Sequence, residues 1–176
     1  MIEEAFRFAC CAHLGQKRKY TGCPYIEHPL AVAALVAAVE DDPEVVAAAC
    51  LHDVVEDTPV SLEEIAQRFG ARVAALVAEV TDVSRPQDGN RKVRKALDKE
   101  HLAAASPAAQ SIKLADLIDN TSTIIYYDPV FAEVYMQEKR DLLKVLTRGN
   151  QALHDRATEI VEAYFARKKT PAHKFC

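Results

Sequence analysis

The segment His52-Asp53-Val54-Val55-Glu56-Asp57-Thr58 follows an apolar run, Val45 to Leu51, and places four ionisable side chains at the end of that run. The run predicts a buried helix because it holds no charged residue and is rich in alanine and valine. If the helix continues at about 100° per residue, His52 and Glu56 lie in line one turn apart, as do Asp53 and Asp57. These ionisable groups then share one arc roughly 140° wide.

Ionisable side chains at the inner end of an apolar helix are unfavourable to desolvate unless something pairs with them. A divalent cation can pair with several carboxylates and imidazoles at once. The segment therefore predicts a metal site. The alternative is a surface helix end, at which His52 and Asp53 cap the helix and Glu56 and Asp57 are solvated before Pro59.

The composition is that of one soluble globular domain, which we predict to span residues 1–176. Hydrophobic residues make up 49% of the chain and charged residues 27%. No run approaches the length of a membrane span, and the N-terminal residues do not resemble a signal peptide, so a membrane partner is not expected. The formal net charge of −4 argues against nucleic acid bound over a broad face, since phosphate neutralisation needs a basic surface.

The cysteines are odd in number and show no C-x-x-C spacing, so neither a disulfide framework nor a zinc knuckle is indicated. We expect free thiols and a cytoplasmic location. The cysteines are Cys10, Cys11, Cys23, Cys50 and Cys176.

Helical periodicity and helix-start signals recur along the chain, and no alternating strand pattern of useful length is present. Several prolines stand where a predicted helix begins, at the first position, at which a missing N–H costs nothing. They are Pro29, Pro43, Pro107 and Pro129. We therefore predict an all-α fold, a helical bundle of about eight or more helices with no significant sheet.

Candidate metal ligands stand in three segments far apart in sequence. His28 precedes the helix predicted to begin at Pro29, His52 and Asp53 follow the apolar run, and Asp116 lies among apolar residues of a later helix. Two nitrogen donors with two carboxylates suit Mn²⁺ or Fe²⁺ and tolerate Zn²⁺. Such a set leaves coordination positions for water and phosphate, as a hydrolytic centre requires.

Other polar residues near these segments are not included among the ligands. His13 lies beside the apolar stripe of the first helix and is predicted to be structural. Asp119 is predicted to face outward. The basic run from Arg91 to Lys95 has two possible interpretations, a solvated helix face or a group that holds an anion.

The order His28, His52-Asp53, Asp116 resembles the H…HD…D signature of the HD-domain metal-dependent phosphohydrolases. Within that superfamily, most of the chain resembles the (p)ppGpp hydrolase domain of the RelA/SpoT family. The matching motifs are Arg18-Lys19, Pro24 to Pro29, Leu51 to Thr58, Phe69-Gly70, Val80 to Asp82, and Lys113 to Asp116 with Asn120. Because no synthetase or regulatory region follows, we expect a stand-alone small alarmone hydrolase, similar to bacterial and metazoan ones.

The resemblance implies a Mn²⁺-dependent attack of water on the 3′-diphosphate of guanosine tetra- or pentaphosphate, which releases pyrophosphate and GDP or GTP. Glu56 and Asp57 match the pair that orients and deprotonates the water, a role that their chemistry allows. The implied metal ligands are His28, His52, Asp53 and Asp116.

The resemblance also implies substrate contacts, at Arg18, Lys19, Asn120, Thr123 and Tyr135. Arg18 matches an arginine that packs on the guanine base, which a planar guanidinium can do, and Lys19 is expected to meet phosphate. Asn120 and Thr123 match residues that line the nucleotide pocket, and Tyr135 matches a pocket tyrosine. The chain departs from the family pattern at Leu117-Ile118-Asp119, where basic, aromatic or histidine residues are usual.

Other functions are compatible with the same residues. A phosphohydrolase of this fold could remove the 2′-phosphate of NADPH or act on a nucleoside monophosphate. A non-catalytic nucleotide sensor would not need Glu56 and Asp57, which repel phosphate. A di-iron oxygenase would need further histidine ligands, and His101, His154 and His173 stand in polar surroundings.

Overall fold

The computed structural model describes residues 1–169, which form ten α-helices and one short 3-10 helix. No strand occurs within this range; Lys17 and Pro24 form an isolated β-bridge. The predicted all-α fold is therefore confirmed. The end of the predicted domain at residue 176, with His173 and Cys176, lies outside the described residues.

The helices follow one another along the chain, with short connections between most of them. They are α1 (Ile2–Ala12), α2 (Glu27–Ala37), α3 (Pro43–Leu51), α4 (Val54–Asp57), α5 (Leu62–Phe69), α6 (Ala71–Val80), the 3-10 helix (Pro86–Asp88), α7 (Arg91–Ala104), α8 (Pro107–Tyr127), α9 (Pro129–Leu143) and α10 (Gln151–Lys169). Within residues 1–169, no helix is both long enough and apolar enough to cross a membrane.

Two helices form the centre of the molecule. Every residue of α3 from Val45 to Leu51 is buried, and α8 is buried at most positions from Ala109 to Ile118. Helix α3 packs against α1, α2 and α6, whereas α8 packs against α2, α6, α9 and α10. A helix surrounded in this way shows little difference between its faces, which explains the continuous apolar run in α3.

The helix starts follow the local capping signals at most of the predicted positions. Asp42 accepts from the Glu44 N–H at 2.9 Å, and Asp128 accepts from the Phe131 N–H at 3.0 Å, each directly before a proline. The start predicted at Pro29 is wrong, because α2 begins at Glu27. Proline is tolerated there because the first N–H groups of a helix have no partner within it.

The helix does not continue at a constant period from His52 to Asp57, so the condition for the arc of roughly 140° is not met. Helix α3 ends at Leu51, Asp53 has φ −97° and ψ −5°, and the short α4 begins at Val54. In this part of the chain His52 is buried, whereas Glu56 and Asp57 are exposed.

Candidate metal centre and active-site cleft

The predicted metal ligands converge from three segments that are distant in sequence: His28 on α2, His52 and Asp53 between α3 and α4, and Asp116 on α8. The Nε2 atom of His28 lies 3.4 Å from the Asp53 Oδ2 and 3.3 Å from the Asp116 Oδ1. The Nε2 atom of His52 lies 3.2 Å from the same Asp53 oxygen. One ligand atom from each of His28, His52 and Asp53 can be chosen so that all lie within 4.8 Å of one another. Packing of α2, α3 and α8 therefore assembles a compact set of two nitrogens and two carboxylates.

The histidines in this cluster are oriented for metal binding. His52 uses Nδ1 to contact the Ala49 carbonyl oxygen at 2.9 Å, and its buried Nε2 has no hydrogen-bond partner. His28 likewise contacts the Asp119 Oδ2 through Nδ1 at 2.7 Å. A protonated Nδ1 held by an acceptor leaves Nε2 as the donor to a metal. An unpartnered buried nitrogen is unfavourable, so the residues fit a divalent cation.

The electrostatics of the cluster keep its carboxylates ionised. Burial opposes the charge of Asp116, but the ammonium of Lys113 and the hydrogen bond from His28 hold the pKa of Asp116 well below its usual range. Lys113 Nζ lies 2.9 Å from Asp116 Oδ2, and the other oxygen of Asp116 faces His28. Burial would lower the pKa of His28, but hydrogen bonds to Asp116, Asp119 and Asp53 raise it to about 11.

Asp119 faces the site, and the prediction that it faces outward is wrong. It lies three residues after Asp116 on α8, which places the two carboxylates about 60° apart on neighbouring parts of the helix surface. Its Oδ2 contacts both the His28 Nδ1 and the Arg18 Nη1, the latter at 2.6 Å. These two partners come from outside α8, so its own apolar pattern does not reveal them.

Glu56 and Asp57 lie beside the ligand cluster on α4. Glu56 accepts from the Asp82 N–H at 3.3 Å. Partial burial and the nearby charge of Asp82 raise the pKa of Glu56. The backbone carbonyl of Asp57 accepts from the Gln16 side chain at 2.8 Å, which ties α4 to the loop after α1.

The predicted substrate residues are only partly brought together. Arg18 contacts Asp119 and also donates to the Asn120 side chain at 3.2 Å. Asn120 donates in turn to the Asp116 Oδ1 at 2.5 Å. Thr123 is half-buried one turn further along α8. Lys19, in contrast, is exposed and its ammonium lies 4.9 Å from the centre of the Tyr20 ring.

Tyr135 lies on α9, where its side chain is buried in the core near the candidate site. The Lys139 Nζ lies 4.6 Å from the ring centre. Burial, together with the charge of Asp116, raises the pKa of the Tyr135 hydroxyl. The tyrosine therefore lies near Asp116 without a direct hydrogen bond to the ligand cluster.

A cavity of about 720 Å³ lies between α7 and α9 and reaches the site at Lys113. Its lining combines carboxylates with many cations, and Lys95 lies 2.6 Å from the Asp82 side chain. The lining cations are Arg91, Lys92, Lys95, Lys99, Lys113 and Lys139. Burial, with the charge of Lys113, lowers the pKa of Lys139 to about 8. The basic run Arg91 to Lys95 thus contributes to a concave surface.

Sequence reasoning assigned no role to two polar residues that contact the predicted ligands, Tyr25 and Lys113. The Tyr25 hydroxyl donates to the Asp53 Oδ2 at 2.7 Å, and the Tyr25 ring lies 4.9 Å from the ring of the buried His13, centre to centre. His13 is buried, and its Nδ1 lies 2.6 Å from the Gln16 Oε1. Lys113 could have been found from its spacing, since residues three apart on a helix are neighbours. No local signal marks the contact of Tyr25.

Residues 5–128 match the sequence profile described as HD domain, which is more than half of the chain. The chain belongs to the HD-domain family. Among its relatives is the human protein named guanosine-3′,5′-bis(diphosphate) 3′-pyrophosphohydrolase MESH1. The two are 36% identical over 169 residues, which covers 94% of this chain and 93% of the human protein.

A solved structure of an HD-domain relative supports the same assignment. It is titled "A metazoan ortholog of SpoT hydrolyzes ppGpp and plays a role in starvation responses". It has a TM-score of 0.83 and 32% identity, and the match covers 93% of this chain and 94% of that one. The predicted HD-domain bundle and the resemblance to RelA/SpoT-type hydrolases are therefore confirmed.

Other relatives are much longer proteins. The Aquifex aeolicus guanosine-3′,5′-bis(diphosphate) 3′-pyrophosphohydrolase is 40% identical over 139 residues, which covers 79% of this HD-domain chain but 19% of that protein. The Streptomyces coelicolor GTP pyrophosphokinase is 41% identical over 126 residues, and 15% of its length is covered. This chain thus corresponds to a small part of those proteins.

Proposed function

We propose that this HD-domain protein is a metal-dependent phosphohydrolase that converts guanosine tetra- or pentaphosphate to GDP or GTP and pyrophosphate. The observation that carries the proposal is the convergence of His28 and His52, through Nε2, with Asp53 and Asp116. The human relative that matches nearly end to end is named for this reaction. A small nucleotide is thus the proposed substrate.

We propose Mn²⁺ as the metal, with Fe²⁺ and Zn²⁺ also suited to two imidazoles and two carboxylates. A bound divalent cation would lower the pKa of a water and polarise a phosphoryl oxygen. His28, His52, Asp53 and Asp116 would hold it. Lys113 neutralises the outer oxygen of Asp116 and so reduces the repulsion between the site and an anionic substrate.

Glu56 and Asp57 are the proposed acid–base pair. A carboxylate with a raised pKa is better suited to accept a proton from water near neutral pH, and Glu56 meets this condition. The Asp82 N–H holds one oxygen of Glu56, which limits the movement of the side chain. In the proposed reaction Glu56 removes the proton, and Asp57 orients the water for attack on the 3′-diphosphate.

Arg18, Asn120, Thr123 and Tyr135 are the proposed nucleoside-binding residues, and Lys19 the proposed phosphate contact at the mouth. A guanidinium donates hydrogen bonds in its own plane, so Arg18 can remain bound to Asp119 and Asn120 while a face stacks on the base. The cations of the adjoining cavity would balance the negative charge of the substrate phosphates.

The cysteines within residues 1–169 are free, which supports the proposed cytoplasmic location. They are Cys10, Cys11, Cys23 and Cys50.

Identification of the products would test the proposed reaction. Purified protein loaded with Mn²⁺ is incubated separately with guanosine tetraphosphate, guanosine pentaphosphate, NADPH and GMP. The products are then separated by ion-exchange chromatography. We expect pyrophosphate with GDP or GTP from the first two nucleotides. Release of inorganic phosphate from NADPH, without pyrophosphate from the guanosine nucleotides, would contradict the proposal and assign the site to a phosphatase.

A further inference from the structure

Asp119 contacts both a proposed metal ligand, His28, and a proposed nucleotide-binding residue, Arg18. A single oxygen of its carboxylate, Oδ2, lies 2.7 Å from the His28 Nδ1 and 2.6 Å from the Arg18 Nη1. The carboxylate is about one-fifth exposed, at 19% of its side-chain surface, and the Arg18 side chain is 14% exposed. Both contacts are thus partly shielded from water. Charge-assisted hydrogen bonds are strong in such shielded surroundings.

The contact with His28 orients the ring. An imidazole that donates Nδ1–H to a carboxylate presents Nε2 in a fixed direction and is a more basic ligand. The Nε2 of His28 faces Asp53 and Asp116, the two carboxylates of the cluster. Asp119 therefore acts on the metal site through His28, although it is not itself one of the proposed ligands.

The contact with Arg18 orients the guanidinium. Arg18 follows the bridge residue Lys17 in a loop outside the helices, so helix packing does not fix its side chain. Two acceptors on α8, Asp119 and Asn120, hold the Nη atoms. A side chain that is already ordered loses less conformational freedom when a ligand binds. Asp119 therefore prepares Arg18 to receive a base.

We propose that Asp119 is a positioning residue that orients His28 for the metal and Arg18 for the nucleotide with one carboxylate oxygen. The inference rests on the proposed function and adds a residue that the family resemblance does not supply, since other residue types are usual at this position. It predicts that a single neutralising substitution, Asp119→Asn, weakens two binding equilibria that can be measured separately.

The first measurement is Mn²⁺ affinity in the absence of nucleotide, by isothermal titration calorimetry. We expect Asp119→Asn to bind Mn²⁺ about 10- to 100-fold more weakly than wild type, the range typical of partners that orient a ligand. Arg18→Ala leaves His28 and Asp119 in contact and should not weaken Mn²⁺ binding. An Mn²⁺ affinity of Asp119→Asn within about twofold of wild type would overturn the assignment to His28.

The second measurement is the dissociation constant of GDP at saturating Mn²⁺, where the loss of metal affinity no longer contributes. We expect Asp119→Asn to bind GDP about 2- to 10-fold more weakly, because the arginine must be ordered during binding. The double variant with Arg18→Ala should bind GDP no more weakly than Arg18→Ala alone, since Asp119 acts through the arginine. Additive losses would overturn the assignment to Arg18.

A matched control separates positioning from a general effect of lost charge. Glu162→Gln removes one carboxylate from an exposed pair with Arg140, at 2.7 Å, on the outer surface of α10 and α9. Both affinities should stay at the wild-type value in this variant. If wild type fails to bind GDP, the proposed function is contradicted, whereas the Mn²⁺ measurement still decides whether Asp119 positions His28.

Discussion

Substitution of Glu56 by glutamine tests the acid–base assignment most directly. Glutamine has the same shape and can still accept from the Asp82 N–H at 3.3 Å, but it cannot take a proton. The loss of a general acid–base group costs about 10²–10⁴ in kcat, which corresponds to about 2.7–5.4 kcal/mol of activation free energy. Since Glu56 is not among the converging ligands, its replacement should leave Mn²⁺ and nucleotide affinities unchanged.

The pH dependence gives a second and independent readout. A general base must be deprotonated to act, and partial burial with the charge of Asp82 raises the pKa of Glu56. Activity should therefore rise with pH on the acid side, with a midpoint above the ordinary glutamate value of about 4.3. In Glu56→Gln this limb should disappear from the kcat profile, because the titrating group is gone.

The assay is steady-state release of pyrophosphate from guanosine tetraphosphate at saturating Mn²⁺, with metal content measured on the same samples. Glu63→Gln, an exposed glutamate on the neighbouring α5, is the matched control and should retain wild-type kcat. Wild-type kcat in Glu56→Gln would refute the base assignment. Loss of bound Mn²⁺ in that variant would instead make Glu56 a metal ligand.

Three further predictions follow from the contacts. His52→Ala or Asp53→Ala should abolish both Mn²⁺ retention and turnover, because each loses a donor and misplaces the others; metal analysis and the pyrophosphate assay check this, and full activity in either variant would disprove the ligand set. Arg18→Ala should raise the KM for guanosine tetraphosphate about 5- to 30-fold, because the variant loses a stacking contact worth about 1–2 kcal/mol. Arg18→Lys should not restore the wild-type KM. A wild-type KM in the lysine variant would show that Arg18 acts as a point charge on phosphate and does not stack on the base. Gly149→Ala should lower the free energy of unfolding by about 1–3 kcal/mol in urea denaturation, because a Cβ there would lie 2.7 Å from the Leu114 side chain; unchanged stability would contradict the packing.

Much of the fold could be predicted from local signals in the sequence. Asp42 and Asp128, each followed by proline, mark helix starts because their side chains satisfy N–H groups only two or three residues away. The apolar run in α3 is likewise a local signal, because consecutive apolar residues predict a buried helix. Residue types alone also indicated the candidate ligands, since histidines and carboxylates in apolar surroundings require a partner.

Local patterns failed where a side chain depends on a distant segment. Helix α3 ends at Leu51 and α4 begins at Val54, and a pattern of constant period does not show this break. The outward direction predicted for Asp119 assumed that its own helix decides its surroundings. In the structure, His28 and Arg18 approach from α2 and from the loop before it.

The helical class, most helix starts and the candidate metal ligands could be predicted without coordinates, because each depends on interactions within a few positions along the chain. The packing of distant segments was needed to show which oxygen of Asp116 faces His28, and that the Tyr25 hydroxyl donates to Asp53. These contacts join segments held together by the packing of α2, α3 and α8. Their geometry depends on how whole helices pack, which local periodicity does not encode.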